Sequence, residues 1–156
     1  MSKEEQNKGV VRRWMKDFWG ENVDISVVEQ LAAPNMRIKY SLLKQGACGR
    51  EGVKNFLAGW RALFPDSKFV LDDLIAQGDY VITKWNGGGT HTGPSFDGFE
   101  MECCLPAATG RKLHFTGESV YRVIDGQIEE ELGFDDAVSA MTQLGLFKAT
   151  ASKHDG

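Results

Sequence analysis

The sequence predicts a single α+β domain in which an antiparallel sheet is covered on one face by helices. Helical periodicity dominates as far as Pro65, strand-like runs take over from Phe69, and the 156-residue length suits one domain spanning residues 1–156. Helices first and strands afterwards is the order of an α+β fold, not of alternating βαβ units. A chain of this length buries about two thirds of the surface its unfolded form exposes, so the fold needs no disulfide or metal to hold it.

Val11, Trp14, Met15, Phe18 and Trp19 recur at spacings of three and four, the apolar stripe of an amphipathic helix. Ser2 and Glu5 are placed as its capping box and Gly20 as its stop. A shorter helix is expected from a cap at Asp24, with Val27, Val28 and Leu31 on its buried side, ending before Pro34. Met36 to Tyr40 reads as a strand. A third helix sets Val53, Phe56, Leu57, Trp60 and Phe64 on one face and stops at Pro65. FVLDDLIA and YVITKW, joined at Gly78-Asp79, form a first hairpin, and a second folds about Asp125-Gly126. A last helix is capped by Asp135 or Asp136 and carries Val138, Met141 and Leu144, and the polar tail from about residue 148 is expected to fray.

Composition excludes several classes of function. Lys and Arg number 18 against 22 Asp and Glu, so nothing favours nucleic acid or an anionic membrane as partner. The polar amino terminus lacks the apolar core of a signal peptide, and no apolar run approaches the length of a membrane span, which points to a cytoplasmic protein. Three cysteines, two of them adjacent at Cys103 and Cys104, fit neither a disulfide framework nor a spaced metal site. Neither a metal nor an organic cofactor is expected. Gly87-Gly88-Gly89 has a phosphate-loop composition, but no helix follows to receive the anion.

The stretch GESVYRVIDGQIEEELGFDD concentrates carboxylates in the second hairpin. A two-residue turn pairs Ile124 with Gln127 and, counted back, Tyr121 with Glu130 and Ser119 with Leu132. One face then collects Leu113, Phe115, Ser119, Tyr121, Val123, Ile128, Leu132 and Phe134. The other collects His114, Glu118, Arg122, Glu129, Glu131 and Gly133, with Arg122 facing Glu129. This sorting places most carboxylates on a solvated face. A bulge would exchange the faces downstream of it.

From Pro34 through Gly145 the chain resembles the SnoaL-like polyketide cyclase family of the NTF2-like superfamily. The resemblance rests on REGVKNFLAGWRALFPD, LIAQGDYVITKW, GTHTG, TGRKLHFTG, YRVIDGQIEE and DDAVSAMTQLG, in that order. It implies an NTF2-like cone, a strongly bent antiparallel sheet with N-terminal helices around an apolar cavity, usually in a homodimer. It also implies a cofactor-free intramolecular aldol reaction on a polyketide ester. That chemistry requires a proton to be removed beside a carbonyl, the enolate stabilised, and the chain held folded.

In the cyclases resembled, a His stands three residues before the Arg of the Y-R-x-x-D-G-x-I segment, and an Asp follows fourteen positions later. Those positions are Ser119 and Gly133 here, and neither can perform the proton transfers. His91, in GTHTG, matches a His the family often keeps, and either a bracing or a functional role is open to it. Glu131 and Glu118 are candidate replacement carboxylates, with a solvated outer face as the competing reading. His91 and Glu131 are thus the catalytic candidates. Trp14, Phe18, Tyr40, Trp60, Trp85, Ser119, Tyr121 and Gly133 are expected to line the pocket for an apolar small molecule. The segment PSFDGFEMECCLPAA, residues 94–108, is longer than the matching loop of relatives, and a lid, an oligomer contact and a mobile loop are all open to it. Two functions remain, an enzyme with relocated acid and base groups, or a binding protein that keeps the cavity without the chemistry.

Overall fold

The hydroxyl of Ser2 accepts a hydrogen bond from the Glu5 N–H at 3.1 Å, and from that cap α1 runs over Lys3–Asp17. In the computed structural model, which describes residues 1–148, the elements that follow are α2 (Val27–Leu31), β1 (Ala32–Tyr40), β2 (Ala47–Cys48), α3 (Gly49–Leu63), β3 (Lys68–Gln77), β4 (Tyr80–Thr90), β5 (Lys112–Ile124), β6 (Gln127–Asp135) and α4 (Ala137–Gln143). The expected polar tail falls at residues 149–156, outside the described residues.

Two local expectations are corrected, and one of two alternatives is settled. Asp24 does not cap α2. Its carboxylate accepts from the N–H and hydroxyl of Ser26, closing a turn, and the helix starts at Val27. In α4, Met141 and Leu144 are buried but Val138 is exposed. Asp136 is the cap of that helix and accepts from the Ser139 N–H at 3.1 Å, whereas Asp135 ends β6.

The six strands form one curved sheet in the order β2-β1-β6-β5-β4-β3. Its pairings are antiparallel except one: β1 lies parallel to β6, with Ile38 beside Glu131 and Tyr40 beside Gly133. The strand is also longer than Met36 to Tyr40, because α2 feeds directly into it at Ala32. A parallel neighbour needs a long crossover, here almost everything between β1 and β6, so no local turn signal announces it.

The second hairpin turns at Asp125-Gly126 as expected. Both residues have positive φ, 50° and 76°, as a two-residue type I′ turn requires, and Ile124 pairs with Gln127. Beyond that pair the register departs from the expectation. Val123 pairs with Ile128 but Arg122 pairs with Glu130, so Glu129 is an extra residue in a bulge. Every downstream side chain changes face. Ser119 stands opposite Gly133, not Leu132, and Tyr121 stands opposite Glu131, not Glu130. Glu131 and Gly133 point into the protein, while Phe134 is exposed and Leu132 half-buried on the outer face.

The core lies between the inner face of the sheet and the helices. Val11, Trp14 and Phe18 of α1 and its end, Val53, Leu57 and Trp60 of α3, and Val81, Trp85, Phe115, Tyr121 and Val123 of the sheet form one cluster. Among the described residues, no helix of this cluster lies over the opposite sheet face. There Ile75 pairs with Ile82, Ile82 with Val120 and Val120 with Leu132, an apolar row across four strands.

Candidate functional site

Because side chains alternate along a strand, the bulge at Glu129 turns Glu131, Gly133 and Asp135 toward the helices. Beside them an aromatic cavity opens. It is walled by Trp19, Tyr40, Phe56, Trp60, Phe69, Trp85 and Phe115, with Met15, Leu42 and Leu43, and one carboxylate, Asp135, belongs to the lining. It is narrow, and its mouth opens to solvent.

The polar tips of the wall residues turn away from the cavity. The Trp60 indole N–H donates to Ser67 Oγ at 3.2 Å, and that of Trp85 donates to Ser119 Oγ at 2.9 Å. The Trp19 indole N–H donates to Glu131 Oε2 at 2.8 Å, and the Tyr40 hydroxyl donates to the same oxygen. The cavity is therefore faced with ring surfaces, and Asp135 is the carboxylate among its lining residues. Its carboxylate accepts from the Leu42 N–H at 3.3 Å and the Ser41 hydroxyl at 3.2 Å. Burial raises its pKa above the ordinary Asp value, against the lowering pull of those donors and of Lys39.

Glu131 lies behind the wall, with no exposed surface. Besides Trp19 and Tyr40, the Trp14 indole N–H donates to its other oxygen at 2.8 Å. Burial pushes its pKa up to about 7, although Tyr40, Trp19, Trp14 and Tyr121 all pull it down through hydrogen bonds. The same burial, joined by the charge of Glu131, holds the phenols of Tyr40 and Tyr121 well above the usual tyrosine range. Tyr40 and Ser119 hydroxyls are 2.8 Å apart. Since Tyr40 donates to Glu131 and Ser119 accepts from Trp85, the proton between them belongs to Ser119, and a directed chain runs from Trp85 through Ser119 and Tyr40 to Glu131.

Gly133 makes this arrangement possible. A Cβ there would lie within 2.0 Å of ring atoms of Tyr40, so the glycine leaves the space that the Tyr40 ring fills. Ser119 and Gly133, paired across β5 and β6, thus supply the hydrogen bond and the room for Tyr40.

His91 stands apart from the cavity. It is fully buried, with Nδ1 2.8 Å from Thr109 Oγ1 and Nε2 3.0 Å from the Pro94 carbonyl oxygen, and it braces the loop after β4. Of the residues expected in the pocket, Tyr40, Trp60 and Trp85 line it. Ser119, Tyr121, Gly133, Trp14 and Phe18 form the layer behind, where Trp14 stacks on Phe18 with centroids 4.3 Å apart. Glu118 is exposed and lies opposite Lys84. Sequence reasoning missed Asp135, read only as a helix cap; its signal was the i, i+2, i+4 spacing of Glu131, Gly133 and Asp135.

Residues 94–108 pack behind another part of the wall. Phe99 and Leu105 are fully buried, and Phe96 meets Phe99 edge to face at 4.8 Å. The Lys44 N–H donates to the Gly98 carbonyl, and the Glu100 N–H to that of Leu42, both at 2.9 Å. The segment therefore clamps Leu42 to Lys44, which hold Asp135 and part of the cavity wall. Among the described residues no group of three or more His, Cys, Asp or Glu is gathered to hold a metal, and no helix is long and apolar enough to cross a membrane.

A curved sheet with helices on its inner face, around an aromatic cavity with a carboxylate in its wall, is the architecture of an NTF2-like pocket protein. The chain belongs to the SnoaL-like polyketide cyclase family, whose model matches residues 9–144. It is similar to a candidate SnoaL-like polyketide cyclase from Jannaschia sp. CCS1, at 25% identity and TM-score 0.79, over 95% of this chain and 98% of that one. It is similar also to IdmH, a candidate polyketide cyclase from Streptomyces antibioticus, at 27% identity and TM-score 0.69, over 90% and 99% of the two chains. A candidate cyclase from Acidithiobacillus ferrooxidans shares the fold at 24% identity and TM-score 0.70, over 93% of this chain and 98% of that one. No curated protein sequence matches the chain.

Proposed function

We propose that this protein is a cofactor-free acid–base enzyme that cyclises an apolar, polyketide-like small molecule by an aldol-type step, with Asp135 as its proton carrier. The observation that supports this reading is the position of Asp135, a carboxylate of raised pKa beside a cavity walled mainly by aromatic and aliphatic side chains. Ionised Asp135 removes a proton from carbon beside a carbonyl, the resulting enolate carbon bonds to a second carbonyl carbon of the same molecule, and the protonated carboxyl returns its proton to the new alkoxide. Burial suits the group to both halves, because a carboxyl of raised pKa is a stronger base when ionised. The aromatic walls exclude water and hold the chain folded. In this reading Glu131 positions Tyr40 and does not touch substrate.

A non-catalytic binding protein is the second reading, favoured by the narrowness of the cavity and by wall groups whose polar tips are tied back. Assays on a polyketide ester of the family type separate the two. Asp135→Asn is expected to lose about a hundredfold or more in kcat/KM, whereas His91→Ala retains turnover if it folds. Wild-type kcat/KM rises with pH through a midpoint above the ordinary Asp value, as the base form is generated. A flat aromatic ligand that binds wild type and Asp135→Asn alike, with no turnover in either, establishes the binder instead.

A further inference from the structure

A second cleft lies on the far side of two of the cavity's wall residues. Met15 and Phe69 line both spaces. The second is the roomier of the two and is open to solvent. Its floor is apolar, made by Met15, Phe69 and Leu71, and its rim is charged, with Arg12, Lys16, Lys68 and Glu21. Arg12 and Lys16 are one helical turn apart on α1 and so share a face. Lys68 is brought opposite them because the Phe69 N–H donates to the Trp19 carbonyl at 3.0 Å, fastening the start of β3 to the end of α1.

Three cations against one carboxylate is an unusual balance for a chain with net charge −4. Glu21 pairs with Lys68 at 3.5 Å, and among the described residues neither Arg12 nor Lys16 has an ion-pair partner. Lys16 is in the last turn of α1, where it also answers the carbonyl end of the helix; Arg12, a turn earlier, has no such duty. We infer that this cleft is a separate binding site for an amphipathic organic acid, a flat apolar body on Met15, Phe69 and Leu71 with its anionic group between Arg12, Lys16 and Lys68. The site is independent of turnover at Asp135.

Two fluorescent probes of nearly the same apolar body test it: anilinonaphthalene sulfonate, which is an anion, and phenylnaphthylamine, which lacks the sulfonate. The wild-type protein is expected to bind the sulfonate at least about tenfold more tightly, with affinity falling as salt rises. Arg12→Gln, Lys16→Gln and Lys68→Gln together remove that preference and leave phenylnaphthylamine unchanged. Lys84→Gln with Arg122→Gln, which neutralises two exposed cations on the outer sheet face, leaves both probes unchanged. Equal binding of the two probes, binding of neither, or an undiminished sulfonate affinity in the triple variant overturns the inference. Circular dichroism of the variants, whose substitutions are all at exposed side chains, separates loss of the site from loss of fold.

Discussion

A methyl group at Gly133 would lie 1.9 and 2.0 Å from Cε1 and Cδ1 of Tyr40, and that ring cannot yield easily because its hydroxyl is held by Ser119 and Glu131. Gly133→Ala is therefore expected to cost about 2 to 3 kcal/mol by overpacking, and under about 1 kcal/mol in a Tyr40→Ala background, where the ring is gone. Denaturant unfolding of the two single variants and the double variant measures the coupling. Placing His and Asp at these positions, as Ser119→His with Gly133→Asp, accordingly requires Tyr40 to be shortened as well. Glu131 gives the second residue-scale prediction. The folded protein keeps a proton on it up to about pH 7, whereas an ordinary Glu releases it near 4.5. Between those values the folded state binds more protons than the unfolded chain, so stability falls as pH rises from 4.5 to about 7 and then levels off. The fall is on the order of 3 kcal/mol. Glu131→Gln removes this slope. It also places an amide N–H beside the donors that meet this side chain, Trp14 on one oxygen and Trp19 with Tyr40 on the other, at a cost of about 1 to 3 kcal/mol, and the variant's stability varies less with pH over that range.

At the scale of elements, the clamp from residues 94–108 can be loosened without substituting Asp135. Phe99→Ala removes a fully buried ring, at a cost of about 3 kcal/mol or more, and frees the segment that carries the Leu42 N–H. That N–H lowers the pKa of Asp135, so its loss moves the midpoint of the pH–rate profile upward, a displacement that general destabilisation does not produce. α1 and α3 were legible from the sequence because each is written in one face: Ser2 caps α1, Pro65 follows α3, and their apolar spacings are regular. The turn at Asp125-Gly126 was legible because positive φ at both positions favours this pair. The bulge was not. Glu129 sits among Glu130 and Glu131, all three chemically alike, and neither glycine nor proline marks the extra residue. One unmarked residue was enough to assign Glu131 and Gly133 to the wrong face, and Asp135, the carboxylate of the cavity wall, was read only as a helix cap. The aromatic stripes were legible as buried but not as wall or backing layer, since Trp14 and Trp60 have the same periodicity and differ only in what the sheet brings to meet them.

For the whole molecule, the outer sheet face is the place where assembly is to be tested. Ile75 and Ile82 are 62% and 41% exposed, and the row they begin continues through Val120 to Leu132. We propose that this face joins a second copy in a homodimer, which buries the row. Sedimentation at tens of micromolar is expected to give a dimer for wild type and a monomer for Ile82→Lys, which sets a charge in the middle of the row; a wild-type monomer removes the proposal. The parallel pairing of β1 with β6 has a different consequence, in time. β1 is made early in synthesis, yet its partner in the sheet is the last strand. Until Gln127–Asp135 has left the ribosome, Tyr40 has no Gly133 to lean over, and the hydrophobic strand that carries it waits with β2 on one edge and nothing on the other. The nascent chain can therefore complete α1 to α3 and the β3–β4 hairpin before the side of the cavity that carries Asp135 exists. Refolding of the whole protein should be limited by this closure over nearly the full length of the chain, which places it among slow, high-contact-order folders.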